Sequence, residues 1–257
     1  MSFKYLEFND AKKQKGLRLT VVRGIPSPWS EAAKAIFHVK SIPFSAVYFD
    51  PFNKEMASWI GSPNAPVAVY DNEDPVSDWK DILALAERLA PSPTLVPSQK
   101  QEHDAIMEIS NQICSPQGLG WYRRLEGVHK GLNAQPGGFP DMVAKYLAKK
   151  YGYQAESGPE YASRTIDILS TLSQHLKQQQ SKGSRYFVGN SLSAADIYSA
   201  TAMACFKPLP QEQCAMLEFI RPVFETLEPA MEAALDPILI EHRDRIYKEY
   251  LTLPLSL

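Results

Sequence analysis

The stretch IPSPWS, residues 25 to 30, sits between the apolar run LRLTVV (17 to 22) and a segment with helical spacing of its apolar residues. It sets two hydroxyls, Ser27 and Ser30, beside Pro28 and Trp29. A serine at the mouth of a helix can do two different things. It can cap the helix, with Pro28 filling the first helical position where a missing N–H costs nothing. Alternatively, its O–H and the positive end of the helix can together steady an anion, such as a thiolate. Both readings use the same residues.

A second constellation is YFVGNSLSAADIYSA, residues 186 to 200. Ser193 precedes Asp196 by three positions at the start of an apolar helix, the pattern of a capping box with aspartate in the usual glutamate place. Leu192 and Ile197 stand where a hydrophobic staple would close around it. This constellation reads as structural, and each capping side chain should contribute about 1 kcal/mol.

Other chemistry is sparse. The five histidines show no i,i+4 pairing and no neighbouring cysteine pair, so no protein-built zinc site is expected. Cys114, Cys205 and Cys214 are too scattered for a disulfide framework and point to free thiols in a reducing compartment. No phosphate loop and no internal repeat is present.

The elements that would position these residues follow from periodicity. LRLTVV, FSAVYFD (44 to 50) and APVAVYDNED (65 to 74) read as strands. Trp29, Ala32, Ala33, Ile36 and Phe37 make one helix face, and Trp79, Ile82, Leu83, Leu85, Ala86 and Leu89 make another. Strand–helix–strand followed by strand–helix indicates a small α/β unit. APSPTLVPSQ (90 to 99), with three prolines, reads as an extended connector. Beyond it, 3.6-residue periodicity runs almost to the end, interrupted at Pro229 and Pro237. The division expected is an α/β domain over residues 1 to 90 (1 to 16 a polar extension), a linker at 91 to 98, and an all-α domain at 99 to 257.

Composition sets outer bounds. A hydrophobic fraction of 44% and a charged fraction of 22% are those of a packed globular chain. A net charge of -2 gives no electrostatic reason to expect nucleic acid or an anionic membrane as partner. No apolar run is long enough to span a bilayer, and the polar start lacks the core of a secretion signal.

FVGNSLSAADI, residues 187 to 197, resembles a capping motif of the glutathione transferases, an aromatic–x–G–x–x–(L/F)–S–x–A–D–I pattern in their helical domain. The α/β unit, the NAPVAVY strand and the helical second half agree with that resemblance over roughly residues 17 to 250. It implies a thioredoxin-like N-terminal domain and an all-α C-terminal domain. It also implies a cytoplasmic homodimer with a role in detoxification, in which glutathione thiolate attacks a small hydrophobic electrophile. No metal, nucleic acid or membrane is implied. Two alternatives share the fold: a non-catalytic binder of glutathione or apolar ligands, and an interaction scaffold.

Carried onto this chain, SPWS is similar to the loop of serine-type transferases. Ser27 matches the catalytic serine, with Ser30 as the alternative and Trp29 beside the peptide. Ala65, before a cis Pro66, would pair its backbone with the cysteinyl part of glutathione. Asp78 falls where the family binds the γ-glutamyl end, with Ser77 next to it, and Lys54 and Asn64 where polar side chains reach the peptide. Trp121 and Tyr122 would line the electrophile pocket. The chain departs from the family at Ala32, often an arginine, and at Trp79, usually a serine. Glu31 adds a negative charge at the helix end where an anion would sit.

Overall fold

The computed structural model describes residues 3 to 257. The sheet-bearing half runs β1 (Lys4–Tyr5), α1 (Phe8–Ala11), β2 (Leu17–Val21), α2 (Pro28–Val39), β3 (Phe44–Tyr48), α3 (Lys54–Ile60), β4 (Val67–Tyr70) and α4 (Trp79–Leu89). Every residue of β2 is buried, because both of its faces are covered, and this is why its β-branched and leucine positions do not alternate cleanly with polar ones. β2 pairs parallel with β3 through the α2 crossover and antiparallel with β4, in the order β1-β3-β2-β4.

Three features correct the sequence reading. Residues 3 to 16, expected as a polar extension, are built into the domain. They contribute the edge strand β1, parallel to β3, with Tyr5 stacked on Tyr48 at 4.5 Å between ring centroids. A two-residue strand is too short to leave an alternation in the sequence. The third strand stops at Tyr70, where Asp71 takes a left-handed φ of 46°; the chain then returns for a single bridge between Ala68 and Val76. Helix α3 escaped periodicity because only Met56 and Ile60 are buried on it. Its ends were nonetheless signalled: Asn53 Oδ1 accepts from Met56 N at 2.9 Å, and Gly61 closes the helix with a φ of 63°.

The connector has no regular structure, yet it is pinned. Leu95 is 1% exposed, its N–H donates to Glu87 Oε1 at 2.8 Å, and its carbonyl accepts from Ala194 N at 2.9 Å. Lys40 Nζ bridges Glu87 and the Pro93 carbonyl at 2.8 and 2.7 Å.

The helical half comprises α5 (Lys100–Cys114), α6 (Leu119–Leu132), α7 (Asp141–Tyr151), α8 (Gly158–Ser181), α9 (Ala194–Ala202) with a 3-10 turn at Met203–Cys205, α10 (Arg221–Glu225), α11 (Pro229–Ala234) and α12 (Pro237–Tyr250). Pro229 and Pro237 each open a new helix, as expected of a residue that cannot continue one. All nine residues of α9 are buried, and it packs against α2, α5 and α12. Four alanines among those nine let the neighbouring backbones approach closely. One apolar core therefore runs from Leu17 in the sheet to Tyr247 in the last helix.

The capping box at the head of α9 closes on both sides. Asp196 also reaches further than a cap does. Its carboxylate accepts from Ser193 N, Phe187 N and His242 Nε2, each at 2.9 Å, and from Ser193 Oγ at 2.6 Å. The contribution of about 1 kcal/mol expected of a cap is thus too small for this residue.

At the far end of the chain, the tail folds back on the sheet. Ser256 O accepts from both Tyr5 OH and Lys34 Nζ at 2.7 Å, Leu257 O accepts from Tyr48 OH at 3.0 Å, and Leu255 N donates to Gln213 O at 2.7 Å.

Candidate functional site

Ser27 occupies the N-cap position of α2 with extended backbone, and Pro28 follows as the first helical residue. Its side chain, however, makes no cap hydrogen bond. Ser27, 2% exposed, is instead among the residues lining a cavity of about 330 Å³ between the β2–α2 turn and helices α6, α7 and α10. Ser30, one turn into the helix, is fully buried, and its Oγ accepts from Val22 N at 3.2 Å, which fastens α2 to the end of β2. It lines neither cavity. Trp29 is pinned across the helical half by an Nε1–H bond to the Cys114 carbonyl at 2.8 Å.

Glu31 does not oppose an anion at the helix end in the way its position suggests. Its carboxylate is buried and lies 2.7 Å from Lys34 Nζ. It faces a separate small recess shared with Tyr247 and Ser256. Burial pushes this carboxyl upward from its ordinary pKa, and the Lys34 ammonium pulls it back in part.

The cavity wall is mostly apolar and aromatic, with Phe49, Phe139, Val143 and Phe224 prominent, but four cations also reach it: Arg23, Arg123, Arg124 and Lys150. Arg123 is internally neutralised by Glu126 at 2.8 Å and holds the carbonyls of Cys205 and Val223 at 3.0 and 2.9 Å. The other three belong to no ion pair among the described residues. Cys205 also lines this cavity, but burial raises its thiol above the ordinary value, with Arg124 and Arg123 only partly offsetting the rise.

A neighbouring cavity of about 160 Å³ lies where α2, α4 and the head of β4 meet. Trp29, Trp79 and Trp121 wall it, and Asn64, Pro66 and Ser77 reach it. Ala65, Lys150 and Tyr151 line both cavities. The Ala65–Pro66 peptide is cis, as the resemblance implied. Among the described residues no partner is found for the Ala65 N–H or C=O, so both are available beside the cavities.

Other candidates lie elsewhere. Lys54 is an exposed residue in the first turn of α3 and lines neither cavity. Asp78 caps α4 by accepting from Lys80 N at 2.8 Å and is absent from both walls. Tyr122 turns towards Tyr161 on α8, with 6.5 Å between ring centroids, while Trp121 packs edge-on against Tyr151 at 4.7 Å. Trp121 lines the smaller of the two cavities, and Tyr122 lines neither. Conversely, Arg23, Arg124, Lys150 and Tyr151 were not singled out from the sequence. The available signal was weak: Tyr146 and Lys150 recur at i,i+4 on α7, which reads equally as a solvated face.

The three thiols give a clear expectation. Cys114 and Cys205 are 7% exposed and Cys214 0%, and burial raises all three, Cys214 to about 11. Native protein should therefore react with a disulfide reagent at neutral pH far more slowly than after unfolding, with three equivalents released only in denaturant. A fast equivalent in the native state would contradict the placement of at least one thiol. Among the described residues there is no group of three potential metal ligands, and no helix is long and apolar enough to cross a membrane.

No protein-family model matches the chain, and no curated protein matches it in sequence. Solved structures do. A glutathione S-transferase from Methylobacterium radiotolerans, in complex with glutathione sulfonate, superposes with a TM-score of 0.59 at 15% identity over 95% of this chain and 98% of its own. A glutathione transferase family member from Pseudomonas fluorescens with two glutathiones bound gives 0.59 at 13% identity, over 93% and 94%. Glutathione transferase Omega 3C from Trametes versicolor gives 0.57 at 15%, over 94% and 89%. Several hundred chains match in this way, and the named ones are covered almost end to end. A four-stranded, thioredoxin-like sheet unit followed by a helical unit is thus the fold these glutathione transferases share, and this chain carries it.

Proposed function

We propose that the protein is a glutathione transferase-like enzyme. In this reading it binds glutathione across the two adjoining cavities and presents the thiolate to a small hydrophobic electrophile. The observation that carries the reading is Ser27, which makes no side-chain cap bond to its helix and is among the residues lining the larger cavity at the amino end of α2. A free thiol has a pKa of about 8.5. A hydrogen bond donated to the sulfur anion, together with the helix dipole, favours the charged form and lowers that value. The unpaired Ala65 N–H and C=O offer the main-chain pairing that a cysteinyl residue needs. Asn64, Ser77 and Trp29 line the adjoining cavity as further peptide contacts. Ser30, Lys54 and Asp78 are left out of the proposed contacts, because each is engaged elsewhere or remote from the walls. Of the two aromatics expected to face the electrophile, the proposal keeps Trp121.

Ser27→Ala is expected to lower kcat/KM for an activated aromatic halide by about tenfold or more. It should also move the pH–rate midpoint upward towards the free-thiol value, while retention on immobilised glutathione persists. Equal turnover by wild type and variant would remove Ser27 from the mechanism.

One observation favours a second reading, a carrier that binds without turnover. The smaller cavity, about 160 Å³ behind three indoles, is below the roughly 300–1,000 Å³ of ordinary ligand sites. Retention on glutathione with no turnover of any aromatic halide would select it. The proposal extends to a cytoplasmic homodimer acting in detoxification; light scattering tests the dimer directly.

A further inference from the structure

A further cavity, of about 200 Å³, lies between the end of α8, the turn that follows it and α12. It shares no lining residue with the cavities beside Ser27 and Trp29. Its volume is far above the roughly 10–15 Å³ that one buried water needs and below the roughly 300–1,000 Å³ of drug-sized sites, so it suits a small organic molecule. Leu176 and Ile238 supply apolar surface there, while Arg185, Glu241, His242 and Arg245 bring charge and hydrogen-bonding groups.

The charges in this wall are unevenly matched. Glu241 and Arg245 stand four residues apart on α12, the spacing at which opposite charges ordinarily close an ion pair. Here they do not. Arg245 is drawn instead to Glu249 at 3.4 Å, donates to the Arg185 carbonyl and lies 4.8 Å from the Tyr186 ring centroid. Arg185 also pairs with Glu249, at 2.7 Å. One carboxylate therefore serves two guanidiniums, which leaves them undercompensated. Glu241 is exposed and belongs to no ion pair among the described residues. Both imbalances border the same cavity.

His242 adds a third observation. It is 5% exposed, and its Nε2 lies 2.9 Å from Asp196 Oδ1. A carboxylate can only accept, so Nε2 carries the proton and Nδ1 of the neutral ring is left as an acceptor. That Nδ1 has no hydrogen-bond partner among the described residues. Its lone pair adds to the negative potential of neighbouring Glu241. A purely anionic guest would meet Glu241, and a purely cationic one would meet two guanidiniums; a guest carrying both charges close together matches the wall.

We propose that this cavity binds a free aliphatic α-amino acid as its zwitterion. The ammonium group lies towards Glu241 and His242, the carboxylate towards Arg245 and Arg185, and the side chain against Leu176 and Ile238. This binding is independent of the transferase reading.

The test is calorimetric titration, without glutathione, of three probes with one carbon skeleton: L-leucine, 3-methylbutylamine, which lacks the carboxylate, and 4-methylpentanoate, which lacks the ammonium group. Wild type is expected to bind L-leucine at least tenfold more tightly than either half-charged probe. Glu241→Gln should weaken L-leucine by about tenfold and leave 4-methylpentanoate unweakened. Arg245→Gln should weaken L-leucine and 4-methylpentanoate but not the amine. Because Arg245 also holds the Arg185 carbonyl, Arg185→Gln, at a side chain 61% exposed, is the second variant on that side, and circular dichroism checks both folds. Equal affinity for all three probes, no heat from L-leucine at millimolar concentration, or an L-leucine affinity that survives Glu241→Gln overturns the proposal. Glutathione retention and halide turnover report on the other cavities, so their failure leaves this result untouched.

Discussion

Asp196→Ala is expected to lower unfolding stability by about 3–5 kcal/mol, read as a shift of the urea midpoint by circular dichroism. The side chain is 0% exposed and accepts hydrogen bonds from the N–H groups of Phe187 and Ser193, from Ser193 Oγ and from His242. Removing it leaves two buried main-chain donors and an imidazole N–H without partners, and each such group costs about 1–3 kcal/mol. His242 is already short of one partner at Nδ1, so it has no second contact to fall back on. Typical domains are stable by about 5–15 kcal/mol, so this single change consumes much of the margin. Ser193→Ala removes only the capping hydroxyl and should cost about 1 kcal/mol. If the two variants lost similar, small amounts, Asp196 would be an ordinary cap and not the tie between the 187 loop, α9 and α12.

Lys34→Met should be comparably severe at neutral pH, at about 3–5 kcal/mol, because it strands a buried carboxylate. Lys34 is 2% and Glu31 5% exposed, and their charges meet at 2.7 Å. The direction of the pH dependence follows from the raised Glu31 pKa. Between the ordinary carboxylate value of about 4.3 and the higher folded value, the native state holds more protons than the unfolded one, so stability falls as pH rises through that window. Lys34 lowers the folded value, so its removal stretches the window upward. The variant's deficit should then be smallest in mild acid, where Glu31 is protonated, and largest above the window. Glu31→Gln/Lys34→Met should recover most of the loss at pH 7, since exchanging a whole buried pair is often close to neutral. A pH-independent deficit would show that the lost Ser256 contact, not the stranded charge, dominates.

How much of this was readable beforehand depended on how local the cause was. Ser193 and Asp196 announce themselves because a capping box lies within four residues, yet the bonds from Phe187 and His242 that make Asp196 costly to remove come from other elements. The start of α2 was legible from Ser27 and Pro28, but the cavity that Ser27 lines has its opposite walls on α6, α7 and α10, far along the chain. Glu31 looked like a charge at a helix mouth. Its partner three residues on gives it a different role, and burial by the returning tail could not be read from that spacing. The cavity cations were hidden for a similar reason. Arg23, Arg124 and Lys150 sit on three separate elements, and nothing in YRR or AKKYG distinguishes an inward cation from a solvated one.

The returning tail has a consequence for the order in which the molecule can be made. Tyr5 and Ser256 are hydrogen-bonded across 251 positions, and Lys34 in α2 shares the same carbonyl. During translation, these two bonds can form only once residue 256 has left the ribosome, whereas the pairing of β1 with β3 needs no segment beyond Tyr48. Until then Tyr5 OH and Lys34 Nζ lack this acceptor, and a nascent chain stalled before Ser256 would carry its sheet without the tail that ties Tyr5 to α2.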